Sequence, residues 1–264
     1  MRSRGKMLPL VQAGGGEAPQ MGTHVLPAGL SRRVVARFLA ARPEDWQPEP
    51  PRPKGFFYGF RNDCLERTVG LTRELVEGVM SPRDIVPVLE RERIPYVLLG
   101  LYGISGWLKE PRATEDVDVL VAQRHLKRTV SALCKTFPGL VAKDTPVVVR
   151  LFEGERAVAD VMKAHHPLFV EALGNTCKAS LQGMKVVVPV LEVALALKFF
   201  SMTSVGRQAK DKYQDAHDFI NMVQNNKVIS SSKLLTWGEL AYAGGGDDLV
   251  KMVADARAGR KLEI

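Results

Sequence analysis

The segment Pro111–Val121, PRATEDVDVLV, places Asp116 and Asp118 one residue apart at the head of an apolar run. Alternate residues of a strand share a face, so both carboxylates would project the same way, with Cα atoms roughly 7 Å apart. Like charges held together in this way repel, and a divalent cation between them would relieve the repulsion. The wet face of an edge strand gives the same pattern, with Val117, Val119 and Val121 turned inward. The surrounding sequence has to decide between the two.

On the N-terminal side, PYVLLG (95–100) reads as a buried strand ending at a glycine, and YGISGWLK (102–109) as a short helix. The glycines Gly100, Gly103 and Gly106 are spaced G-x-x-G-x-x-G. A dinucleotide-binding turn needs G-x-G-x-x-G, and so short a helix cannot complete a parallel crossover. Ligands of a doubly wound sheet also sit at strand carboxyl ends, whereas Asp116 and Asp118 begin their strand. The strands before and after the short helix are therefore expected to run antiparallel. That arrangement brings the Gly100 turn, the positive end of a helix dipole and the two aspartates into one corner. A phosphate cradle beside hard oxygen ligands suits Mg²⁺ and a nucleotide. On the C-terminal side, RAVADVM (156–162) interrupts an apolar strand with Asp160, which would complete a three-carboxylate cluster if this strand lies beside DVDVLV.

The remaining patterning gives an α/β (α+β) protein with a mixed sheet. A helix is expected from Asp63 to about Met80. A second begins at SPRD, where Ser81 caps it, Pro82 takes the first position and Asp84 the first turn. AQRHLKRTVSALCKTF (122–137) has helical spacing, PVVVRLF (146–152) precedes a turn at Glu153–Glu155, HPLFVEAL is helical and MKVVVPV is a strand. Helices are expected to dominate after Leu191. Three parts result: a basic, Pro/Gly-rich extension (1–60), an α/β core (61–190) and a helical C-terminal part (191–264).

Of the net charge of +8, +5 falls in residues 1–60, which hold nine Lys/Arg and four Asp/Glu. The rest is near neutral, so the basicity reads as an extension with affinity for polyphosphate or RNA rather than as a basic groove. Within it, LSRRVVARFLAAR reads as a short amphipathic helix. Cys64, Cys134 and Cys177 show no paired metal spacing, and the histidines show no H-x-x-x-H, so a reducing, cytoplasmic setting is expected without disulfides or a histidine zinc site. No apolar run reaches the ~18 residues of a membrane span.

Taken in order, LLGLYGISGW, PRATEDVDVLV and VADVM resemble the nucleotidyltransferase superfamily (the polymerase-beta-like fold), closest to its bacterial AbiEii-type toxin branch. LEVALALKFFSMTSVGRQAKDKYQDAHDFINMV is similar to that branch's Lys-containing helix followed by a Lys/Arg-Asp…Asp helix. The resemblance covers about residues 90–224. It implies transfer of a nucleoside monophosphate from an NTP to an acceptor hydroxyl, with Mg²⁺ (or Mn²⁺) and release of pyrophosphate. The acceptor would be tRNA or other RNA, a protein side chain or a small molecule. Carried over by position, Asp116, Asp118 and Asp160 would be the catalytic and metal residues. Gly100 would lie behind the phosphates, with Gly103 and Ser105 helping to shape the turn. Thr114 would orient the aspartates, and Arg112 would touch substrate or hold a strand-end carbonyl or carboxylate. Lys198 and Lys210 would be phosphate or substrate ligands, set against a snorkelling lysine and a solvated helix face; His217 and Asp218 are taken as structural. The chain departs from the family at Leu101, where Gly or Ser is common. A bulky side chain there would hold phosphates off the backbone, and the second expectation is accordingly an inactive partner protein, for instance one bound to a cognate antitoxin.

Overall fold

The computed structural model describes residues 59–262. Residues 1–58 of the basic extension, on which the expected amphipathic helix falls, lie outside these. The described chain is a mixed α/β assembly. It begins with α1 (Asn62–Leu75) and α2 (Pro82–Arg91), then β1 (Tyr96–Leu98), α3 (Gly100–Leu108) and β2 (Val117–Val121). Helix α4 (Leu126–Thr136) leads to β3 (Leu140–Asp144), β4 (Val148–Glu153) and β5 (Arg156–Lys163). Helix α5 (Pro167–Ala172) and strands β6 (Thr176–Leu181) and β7 (Met184–Pro189) follow. The chain then stays helical through α6 (Leu191–Thr203), α7 (Ala209–Asn225), α8 (Ser231–Ala241) and α9 (Gly245–Arg257).

Five strands form one sheet in the order β1-β2-β5-β4-β3, and β6 and β7 form a separate hairpin. Strand β1 runs antiparallel to β2, as the short α3 connection requires, and β2 runs parallel to β5. The register pairs Asp118 with Asp160, and on β4 Arg150 pairs with Asp160.

The two faces of the sheet have different covers. Val117, Val119, Val121, Ala159 and Val161 pack with Ile85 and Leu89 of α2 and Leu133 of α4. The opposite face, with Val97, Leu120 and Met162, packs against α6 and the helices beyond it. Helix α6, LEVALALKFFSMT, is apolar nearly all round, with Leu195, Phe199 and Met202 fully buried. Such a helix belongs in an interior, each large side chain there contributing roughly 1.5–3 kcal/mol of burial. Hydrogen bonds from Asn226 Nδ2 to the Trp107 carbonyl (2.8 Å) and from Trp107 Nε1 to the Pro189 carbonyl (3.0 Å) tie α7 to α3 and α3 to β7. These ties place the C-terminal helices over the corner where β1, α3 and β2 meet.

Two local expectations change. Helix α1 ends at Leu75 rather than near Met80, with Val76 already extended. Strand β2 begins at Val117, so Asp116 stands one residue ahead of the first ladder pair. MKVVVPV forms the expected strand, β7, which lies in the separate hairpin. The capping box at Ser81 forms as its sequence indicates: the backbone N–H of Ser81 donates to Asp84 Oδ2 at 2.8 Å.

Candidate active site

Asp116, Asp118 and Asp160 each offer a carboxylate oxygen to a common point, these oxygens lying within 4.8 Å of one another. Asp118 and Asp160 are neighbours on parallel strands, so the ladder itself holds them side by side. Asp116 reaches in from the strand entrance. There Thr114 Oγ1 donates to Asp116 Oδ1 (3.2 Å), and the Thr114 backbone N–H donates to Thr72 Oγ1 (3.2 Å). Thr114 thus orients an acid of the cluster.

Gly100 has φ +51°, and a Cβ built on it would lie 1.8 Å from Asp118 Oδ2. Both the left-handed backbone and the close approach require glycine. The carboxylate of Asp118 rests against the start of α3, where the first N–H groups of a helix lack intrahelical partners.

The cluster is electrostatically uncomfortable. Burial, with the charges of Asp116 and Asp160, holds the Asp118 carboxyl well above the usual range, while Lys198 and Arg207 pull against this. Burial first and Asp160 next raise Asp116, with Thr114 and Arg150 opposing. Three converging hard oxygens, two of them on carboxyls held above their usual range, are the donor set a divalent cation satisfies, and one or two carboxylates with substrate phosphates are usual for Mg²⁺. The residues present fit such an ion.

A cavity of about 330 Å³ opens beside the cluster, between the sheet and α6. Its apolar wall includes Ile104, Met162, Phe169 and Leu197; its charged groups are Asp118, Asp160, Arg150, Lys198, Arg207 and Asp215. Lys198 Nζ donates to Asp215 Oδ1 (2.7 Å) and Asp218 Oδ2 (2.8 Å), two nearly inaccessible carboxylates. Arg207 Nε donates to Asp215 Oδ2 (2.7 Å) and Arg112 Nη2 to Asp218 Oδ2 (2.8 Å). A continuous ion-pair chain therefore runs Arg112–Asp218–Lys198–Asp215–Arg207, joining the approach to β2 with α6 and α7.

The other expected ligands fall elsewhere. A Cβ on Gly103 would meet the Leu98 carbonyl oxygen at 2.4 Å, so this glycine serves the close packing of α3 on β1. Ser105 is buried and donates to the Tyr102 carbonyl (3.4 Å). Neither lines the cavity. Arg112 holds a carboxylate, the second of the two roles expected for it. Lys210 is exposed in the first turn of α7, away from the cavity wall. Asp218 is fully buried as an ion-pair partner. Leu101 is 5% exposed and packs in the core with Leu99 and Trp107, so its bulk is absent from the cavity wall. Arg150, Arg207 and Asp215 were not signalled as ligands by the sequence. Only the β4–β5 register would have pointed to Arg150.

No family model matches the chain, and no curated protein sequence matches it. Among solved structures it is similar to an antigenic nucleotidyltransferase-like protein from Paracoccidioides brasiliensis, with 19% identity over 74% of this chain and 93% of that one and a TM-score of 0.46. It is also similar to the antibiotic-resistance factor ANT(2'')-Ia (14% identity, 67% of this chain, 87% of that one, TM-score 0.40). A third is the lincosamide antibiotic adenylyltransferase LnuA, in its lincomycin-bound form (13% identity, 55% and 98%, TM-score 0.40).

Proposed function

We propose that the chain is a metal-dependent nucleotidyltransferase that moves a nucleoside monophosphate from an NTP to an acceptor hydroxyl. One observation carries this: Asp116, Asp118 and Asp160 converge beside a cavity whose other charged groups are mainly cationic. Asp116, Asp118 and Asp160 would hold Mg²⁺ or Mn²⁺. Such an ion supplies positive charge against the attacking and leaving oxygens and helps to orient the triphosphate.

The chain's own groups do the rest. Gly100 lets the triphosphate approach the start of α3, where N–H groups and the helix dipole favour negative charge. Asp160 accepts the proton of the acceptor hydroxyl as its oxygen bonds to the α-phosphorus. The bond from the α-phosphorus to the oxygen bridging to the β-phosphate breaks, and pyrophosphate leaves. Lys198 and Arg207 face the cavity and steady the departing negative charge. The apolar wall of Ile104, Met162, Phe169 and Leu197 receives the uncharged part of a substrate and keeps water out.

The test is label transfer. The protein is incubated with each labelled NTP, Mg²⁺ or Mn²⁺, and RNA, protein or small hydroxyl compounds, beside Asp116→Asn and Asp118→Asn. Transfer that the substitutions reduce by about a hundred- to a thousandfold, the scale of a lost electrostatic element of catalysis, supports the reading. Nucleotide binding without transfer to any acceptor would instead indicate a catalytically inactive binding or regulatory partner, for example in a toxin–antitoxin pair.

A further inference from the structure

Asp160 does not face the cluster alone. Arg150 lies opposite it in the β4–β5 ladder and grips both carboxylate oxygens. Its Nε donates to Oδ1 at 2.9 Å and to Oδ2 at 3.2 Å, and its Nη2 donates to Oδ2 at 2.8 Å. The Asp160 side chain is 7% exposed, while that of Arg150 is 45% exposed and lines the cavity. The oxygens that would join Asp116 and Asp118 around a cation are thus already engaged by a cation belonging to the chain.

We infer that Arg150 competes with the divalent ion for Asp160 and, on release, binds the nucleotide's phosphate chain. The inference rests on the nucleotidyltransferase reading and adds a residue to it. A guanidinium cannot surrender its proton, so it cannot share a carboxylate with a second cation without repulsion. It can move, because it is half-exposed on a long side chain. The nearest new anion would be the triphosphate, whose oxygens match the guanidinium fork as the carboxylate does. In the metal-free protein the same pair partly offsets the mutual repulsion of the converging carboxyl groups.

The competition is a linkage and therefore has a sign. Removing a charged hydrogen-bond partner worth ~1.5 kcal/mol should tighten the ion by roughly tenfold. Removing a phosphate ligand should weaken a polyphosphate by a similar factor. Two opposite changes from one substitution are not what general loosening of the fold would produce.

The full chain is compared with Arg150→Met, Arg150→Lys and Lys143→Met. Lys143 stands opposite Arg150 in the β3–β4 ladder, one strand farther from Asp160, and so controls for nearby charge alone. Mn²⁺ binding is read by electron paramagnetic resonance, and binding of a preformed Mn²⁺–tripolyphosphate complex by calorimetry. Arg150→Met should bind Mn²⁺ alone about tenfold more tightly and Mn²⁺–tripolyphosphate about tenfold more weakly. Arg150→Lys should fall between, and Lys143→Met should leave Mn²⁺ affinity as in the wild type. Either change alone, or neither, in a wild type that binds Mn²⁺ overturns the inference while leaving the nucleotidyltransferase reading intact. Absence of Mn²⁺ binding in both the wild type and Arg150→Met overturns the two together.

Discussion

A methyl group at position 100 would lie 1.8 Å from Asp118 Oδ2 on a backbone already at φ +51°. Gly100→Ala therefore meets two separate penalties. The left-handed conformation alone costs about 1–2 kcal/mol for a residue with a Cβ. Escape from the clash must also move the carboxylate of Asp118 away from its neighbours. The expected outcome is a loss of at least that stability in urea, together with much weaker Mn²⁺ binding. Wild-type Mn²⁺ affinity in Gly100→Ala would show that Asp118 does not need this turn. Thr114 is a milder case, since its hydroxyl aligns Asp116 and its backbone is held separately by Thr72. The nearness of Gly100 to the aspartates was readable because a short helix between antiparallel strands brings the strand-end glycine and the D-x-D pair into one corner. Arg150 was not, because one arginine in an apolar strand looks like any exposed residue until the strand across from it is known.

At the level of elements, the corner β1–α3–β2 was legible from its parts. The apolar run of β1, the shortness of α3 and the aspartates at the head of β2 together pointed to an antiparallel pair. Strand β3, by contrast, has one buried residue, Leu140, followed by four exposed ones. It carries no alternation to read and forms because β4 offers it an edge. Strand β6 is similarly weak in pattern and is held by β7. Helix α6 was recognisable as apolar, but the buried partners of its lysine were not. The two carboxylates that hold Lys198 come from α7, 17 and 20 residues later. That placement makes a prediction for the pair of helices. Lys198→Met leaves Asp215 and Asp218 buried with, among the described residues, Arg207 and Arg112 as their cationic partners. Breaking such a buried arrangement should destabilise the protein by about 3 kcal/mol, measured by chemical denaturation. An effect below ~1 kcal/mol, the level of an exposed pair, would show that the two arginines suffice.

For the whole molecule, the strain of three converging acids should appear as a pH dependence of stability. The Asp116 and Asp118 carboxyls are both raised in the folded protein, first by burial and then by neighbouring carboxylates. Above the ordinary carboxylate range, the folded protein still holds protons that the unfolded chain has released. Stability from these groups is therefore complete at pH below that range and falls as pH rises through the raised folded values. Asp118→Asn removes one charge of the cluster and keeps the side chain's size. Without metal it should be more stable than the wild type, the advantage growing with pH until the folded carboxyl has ionised and then levelling off. Mn²⁺ should reverse the order, since it binds the ionised cluster and stabilises only the protein that can assemble it. The wild-type melting temperature should rise with Mn²⁺, more at pH 8 than at pH 5, while Asp118→Asn should respond weakly at both. Melting curves for the two proteins at several pH values, with and without Mn²⁺, check this directly. If the metal-free wild type gains stability relative to Asp118→Asn as pH rises, Asp118 is instead stabilised as an anion by groups within the fold. The site would then be a satisfied ion-pair network with no need of a metal.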